Sequence, residues 1–99
     1  MKAKKNPETQ LLGKGEVFKN LKMLAEANTI GPKHLSVEES VLVILKGKVV
    51  LKIKDKEYAL KAGETKIIPG GIEHYLEIIE DTEAIHIMPV DNKIKLLAE

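Results

Sequence analysis

The chain of 99 residues contains no cysteine, and its sixteen basic residues are all lysine. Without cysteine no disulfide braces the fold and no thiol serves as a nucleophile, an absence that agrees with a reducing cytoplasm. Without arginine the chain lacks the planar fork that reads phosphate, carboxylate and guanine edges in a bidentate manner. Net charge is only +1 and the two signs are interspersed, whereas a nucleic-acid binder gathers a basic excess on one face. No nucleic-acid partner is expected. Long apolar runs are missing as well: "VLVIL" at 41–45 is far too short to cross a bilayer. The N-terminal "MKAKKNPETQ" leads into "LLGKGEVF" rather than into an apolar signal stretch. These absences predict a soluble cytoplasmic protein without a membrane partner. A Gly-x-Ser-x-Gly nucleophile elbow is lacking, and "PGG" at 69–71 lacks the strand-to-helix context of a phosphate loop.

What the sequence does contain is alternation. In "KVVLKIKDKEYAL" (48–60) Val49, Leu51 and Ile53 alternate with Val50, Lys52 and Lys54, the period of a half-buried strand. A two-residue turn at Asp55-Lys56 would set Lys54 opposite Glu57 and Ile53 opposite Tyr58. Asp-Lys is a poor primed turn, because both central residues need positive φ, so a bulge or longer loop is an alternative. Further strands are expected at 65–68, 74–79 and 83–88, broken by Pro69-Gly70-Gly71 and by a turn at Asp81-Thr82. The segment 18–28 leans to extended structure. Short strands at this rhythm predict an all-β sandwich or barrel. One domain fits the length, with residues 1–15 as a flexible N-terminal arm and 16–99 as the folded unit.

The stretch "GETKIIPGGIEH" can be written Gly63-x5-Pro69-x-Gly71-x2-His74. Gly63 permits a turn, Pro69 ends a strand by removing a donor, and Gly71 lets the chain reverse before His74 opens the next strand. His74, Leu76 and Ile78 then share one strand face. A lone strand histidine is ordinarily a structural, hydrogen-bonded residue. This spacing, however, resembles the second motif of the cupin superfamily, over roughly residues 33–89. The resemblance implies a small double-sheet jelly-roll barrel, also called a double-stranded β-helix, with its site inside and His74 pointing into it.

Cupins that bind metal carry a first motif of two histidines one residue apart, then a glutamate, then a glycine. Counted back from Gly47 in "KHLSVEESVLVILKG", those positions hold His34, Ser36 and Ser40. The second histidine and the glutamate are thus replaced by serine, a poor neutral ligand. Glu38 would need a slipped strand to substitute, and Glu39 has the wrong parity. In "EAIHIMP" (83–89) His86 shares a face with Ala84 and Met88, opposite Ile85 and Ile87. If the isoleucine face is core, His86 points outward; if not, His34, His74 and His86 converge as a three-histidine site for a divalent metal such as Zn, Fe, Ni or Mn.

Two functions from different classes follow. One is a degenerate cupin that binds a small organic ligand through His34, Ser36, Ser40 and His74. The alternative is a metal-dependent oxygenase, isomerase or lyase using His34, His74 and His86. A third role, as a sensor or assembly module, would act through a partner protein. The resemblance also implies a homodimer, and outward-facing Val50, Ile79 and Tyr75 would supply apolar surface for it.

Overall fold

The computed structural model describes residues 7–97. Among them there is no helix, and therefore none long and apolar enough to cross a membrane. Eight strands follow one another: β1 (Glu8–Lys14), β2 (Phe18–Ala25), β3 (His34–Ser36), β4 (Ser40–Ile53), β5 (Lys56–Lys61), β6 (Thr65–Ile68), β7 (His74–Pro89) and β8 (Ile94–Leu96). All belong to one antiparallel sheet folded upon itself. The segment assigned to an N-terminal arm is a strand over Glu8–Lys14, paired with β2 from Glu8↔Leu24 to Lys14↔Lys19. Its first residues, 1–6, lie outside the described residues. The extended reading of 18–28 holds as β2.

Two long strands build the barrel. The first half of β4 and the second half of β7 pair through Val41↔Ile87 to Ile44↔Ala84, and the remaining halves pair through Val49↔Ile78 to Ile53↔His74. Each strand therefore serves two sheets. One layer runs β8-β3-β7-β4-β5 and the other β1-β2-β7-β4-β6. This is the double-sheet jelly roll that the strand rhythm and the motif led us to expect.

The separate strands expected at 74–79 and 83–88 are one strand, β7, and no turn forms at Asp81-Thr82. The polar residues serve a bend instead. Asp81 Oδ1 accepts the Ala27 amide at 2.8 Å, and Thr82 Oγ1 donates to the Glu80 carbonyl at 2.7 Å. Opposite this bend the β4 register shifts, so buried positions change from 40, 42 and 44 to 49, 51 and 53. Three successive irregularities between Ile44 and Val49 leave a net offset of one residue between the strands, and the inward parity of β4 reverses across them.

The β4–β5 hairpin exists, but its turn is Lys54-Asp55 rather than Asp55-Lys56. Leu51 faces Tyr58 and Lys52 faces Glu57. Lys54 adopts a left-handed φ of 54°, a conformation that lysine rarely visits and that its sequence does not advertise. The slip amounts to two positions, so every residue keeps its face. Leu42, Ile44, Val49, Leu51, Ile68 and Ile78 fill the interior between the layers and are almost completely buried.

Gly47 holds the bend together. Its φ is +92°, and a Cβ there would collide with the carbonyl oxygen of Asp81 and meet Thr82 Oγ1 at 2.7 Å. Gly63 has φ +90° but nothing within 4 Å of the same position. Gly63→Ala therefore suffers only the backbone penalty, about 1–2 kcal/mol, while Gly47→Ala also forces two strands apart and should lose about 3 kcal/mol or more. Urea unfolding of the two variants checks this order; equal losses would mean that the strands yield freely at the crossing.

Candidate functional site

Backbone pairing brings the two motifs together. β3 is hydrogen-bonded beside β7 with His34 directly opposite His74, and the Gly71 amide of the Pro-Gly-Gly corner donates to the Ser36 carbonyl at 2.7 Å. Directly opposed residues share a sheet face, so both imidazoles lie on the same inner side of the barrel. Their ring centroids lie 4.3 Å apart in an edge-to-face arrangement at 62°. His74 is 2 % exposed.

Each ring is anchored by its own chain. His34 Nδ1 lies 2.8 Å from the Pro32 carbonyl, and His74 Nδ1 lies 3.0 Å from the Ile72 carbonyl. A carbonyl only accepts, so the proton sits on Nδ1, and Nε2 of the neutral ring keeps a bare lone pair. His74 Nε2 is buried and has no hydrogen-bond partner.

His86 points inward. It is paired with Leu42 of β4 and Leu21 of β2, on the same face as Ala84 and Met88, which are 0 % and 2 % exposed. Of the two alternatives the inward one holds for His86: Ile85 and Ile87 lie on the outer side of β7 and are only half-buried. Outer and inner faces of this strand are both apolar, so apolar character does not distinguish them. Burial pushes the His86 imidazole down to about 4, and the nearby His74 and His34 rings add to the shift. Burial also lowers His74, against the raising bond to the Ile72 carbonyl, with His34 lowering it further.

The serines lie on inward faces as well. Ser36 and Ser40 are 1 % and 2 % exposed. Ser36 shares its strand face with His34, and Ser40 shares its face with Leu42, the partner of His86. Among the described residues four buried side-chain atoms lack a partner: Ser36 Oγ, Ser40 Oγ, His74 Nε2 and His86 Nε2. Three of the four residues expected to bind a ligand, together with His86, therefore present unmatched polar atoms. His34, the fourth, faces His74.

The donor set does not fit a resident metal. Glu38 and Glu39 are exposed, with the Glu38 amide tied to Asn92 Oδ1 at 2.9 Å, so no slipped strand delivers a carboxylate to the chamber. Among the described residues no group of three or more His, Asp or Glu side chains is arranged to hold a metal ion. The hydroxyls of Ser36 and Ser40 stand where metal-binding cupins keep a charged or imidazole ligand. No chemistry is routed through a metal here.

The buried histidines make stability depend on pH. The unfolded chain takes up protons at the ordinary imidazole value of about 6.5, while folded His86 resists protonation down to about 4. Between those values the unfolded state binds more protons, so stability is complete above this window and falls as pH drops through it. His86 alone accounts for a loss of about 3 kcal/mol at most. His86→Leu, which sets an apolar side chain between Leu21 and Leu42, should be more stable than the parent at about pH 5 and lose less on acidification. Urea midpoints measured across this range check the sign; identical acid sensitivity in the variant would place the imidazole in water.

No curated protein matches the chain. Among solved structures, a cupin-2 domain containing protein from Shewanella frigidimarina NCIMB 400 is similar at 20 % identity and TM-score 0.74, covering 90 % of this chain and 84 % of that one. An RmlC-like cupin with a double-stranded β-helix fold from Methanocaldococcus jannaschii gives 20 % and 0.75, over 85 % and 80 % of the two chains. The DMSP lyase DddQ from Ruegeria pomeroyi DSS-3 reaches TM-score 0.82 at 16 % identity, covering 92 % of this chain but only 51 % of that enzyme. At such identities the likeness concerns the fold alone. The family described as cupin domain matches residues 21–90, which covers both motif regions and the strands between them, and the chain belongs to that family.

Proposed function

We propose that the barrel binds a small organic ligand between the two sheets. The observation that carries this reading is the set of four buried, unpartnered polar atoms on Ser36, Ser40, His74 and His86. Each unsatisfied buried group costs about 1–3 kcal/mol, so together they would consume much of the stability of a domain of this size. A fold keeps such atoms where water or a ligand satisfies them. Their chemistry defines the occupant. The bare Nε2 atom of His74 accepts a hydrogen bond, and the two hydroxyls either donate or accept. A compound with an apolar body and hydroxyl or N–H donors suits this lining.

The same imbalance predicts opposite effects of one substitution. Ser40→Ala removes an unsatisfied hydroxyl, so the ligand-free protein should gain about 1 kcal/mol in stability. The variant should also lose binding to fragments that contact β4, read as amide shifts when a set of alcohols, amides and carboxylates is titrated into labelled protein. If Ser40→Ala is instead destabilised by a similar amount, the hydroxyl is already satisfied inside the fold and the chamber is not waiting for a ligand.

A second copy of the chain is the proposed macromolecular partner. Val50 and Tyr75, named from the sequence as apolar outer surface, lie among charges: Lys52 bridges Glu57 at 3.3 Å and Glu77 at 3.5 Å, and Lys33 pairs with Glu73 at 3.5 Å. The outer side of the other sheet is more apolar. There Val41 pairs with Ile87 and Ile67, and Val43 with Ile85; Ile67 is 50 % exposed, and Phe18, farther across the sheet on β2, 58 %. A contiguous face of this kind supports pairing of sheet on sheet. Light scattering should give twice the chain mass for the parent and a shift toward the single-chain mass for Ile67→Lys; a single-chain mass for the parent removes the dimer.

A further inference from the structure

We propose that the ligand is an anion, specifically a small carboxylate, and that Lys66 receives its carboxylate group; this rests on the ligand-binding reading above. Lys66 lies directly opposite Leu42 on the inner face of β4, so its stem starts inside the barrel. Its neighbours in sequence, Thr65 and Ile67, are exposed, whereas Lys66 is half-buried. The ammonium nitrogen stands 3.7 Å from the centre of the Tyr58 ring. Tyr58 in turn faces Leu51 on the inner side of β5. Strands β5 and β6 are the edges of the two layers on the same side of the barrel, so this contact spans the gap between the sheets.

An ammonium over an aromatic face is only partly satisfied. Such a contact is weaker than a charge-assisted bond to a carboxylate. Among the described residues the salt-bridged lysines are Lys22, Lys33 and Lys52, and Lys66 is not one of them. At the barrel rim this cation has no carboxylate partner among the described residues.

The space beside it suits a compact anion. A cleft of about 310 Å³ opens here, with Ile53, Tyr58, Ile67, Pro69 and Ile72 as apolar lining, Ile67 from the outer side of β6. Its charged residues are Lys54, Asp55, Lys56 and Lys66, three positive and one negative, a net of +2. The cleft adjoins the histidine chamber: Ile53 pairs with His74 across the sheet, and the Ile72 carbonyl anchors the His74 ring. A carboxylate on Lys66 would therefore orient an apolar body over Ile53 and Ile72. An entirely structural Lys66–Tyr58 contact would close the edge of the barrel but would not select for ligand charge.

The test titrates full-length labelled protein with 4-hydroxybenzoate and, separately, with its neutral isostere 4-hydroxybenzamide, following amide shifts. The acid should bind more tightly than the amide and should shift Ile53, Tyr58 and Ile72. Lys66→Met, which keeps the stem and deletes the charge, should weaken binding of the acid by at least about tenfold while leaving the amide unchanged. Lys66→Arg should restore most of the loss. Equal affinity for acid and amide in the parent overturns the carboxylate assignment and requires no variant to fold. Unchanged binding of the acid by Lys66→Met, or no shifts at the cleft with either compound, overturns it equally. The ligand-binding reading itself is decided separately, by the Ser40→Ala comparison.

Discussion

The backbone contact between Gly47 and the Asp81 carbonyl is the constraint on which the molecule turns. β4 and β7 remain paired along nearly their whole length, yet each must leave one sheet and enter the other. They do so by bending at the same level, and the bend demands closer approach of two main chains than a Cβ permits. The register shifts opposite it reverse which residues of β4 look inward. That reversal lets Ser40 and Leu42 on one half, and Leu51 and Ile53 on the other, line one interior. Without it, one sheet would turn its polar face to the core.

The chamber follows from this crossing. His74 begins β7 and His86 lies near its end, and a strand that serves both sheets brings one imidazole into each layer. Apolar rows of Ile44, Val49, Ile78 and Ala84 seal one side of the interior, leaving the polar atoms concentrated at the other. In such surroundings an imidazole stays neutral well below its usual pH, which agrees with the downward displacement of both buried rings. Hydrogen-bonding capacity is thus preserved where water is scarce.

Much of this was legible in the amino-acid order because turn chemistry is local. Gly63, Pro69 and Gly71 act through their own backbone, so their spacing disclosed the corner and the placement of His74. Counting back from Gly47 located His34, Ser36 and Ser40, all of which face the interior as the strand parity required. His86 was harder to place. Its strand is apolar on both sides, inside against the core and outside on the half-buried sheet face, so contrast between faces carried no information. The turn expected at Asp81-Thr82 misled for a related reason: Asp and Thr favour bends as well as turns, and only a long-range partner decides between them. The left-handed Lys54 has no signature in its side chain, and Lys66 gave no hint that its stem starts inside a barrel.

The sharing of β4 and β7 between layers also governs how the chain acquires its shape. Val41 meets Ile87 across nearly half the sequence, so the central pairing forms only after a long stretch of polypeptide has been brought into a loop. The β4–β5, β4–β6 and β1–β2 pairings are local in sequence, whereas the β4–β7 pairing that closes the barrel is not. Topologies of this kind assemble in milliseconds to seconds rather than microseconds, and until β7 arrives the apolar rows of β4 stand open to other molecules.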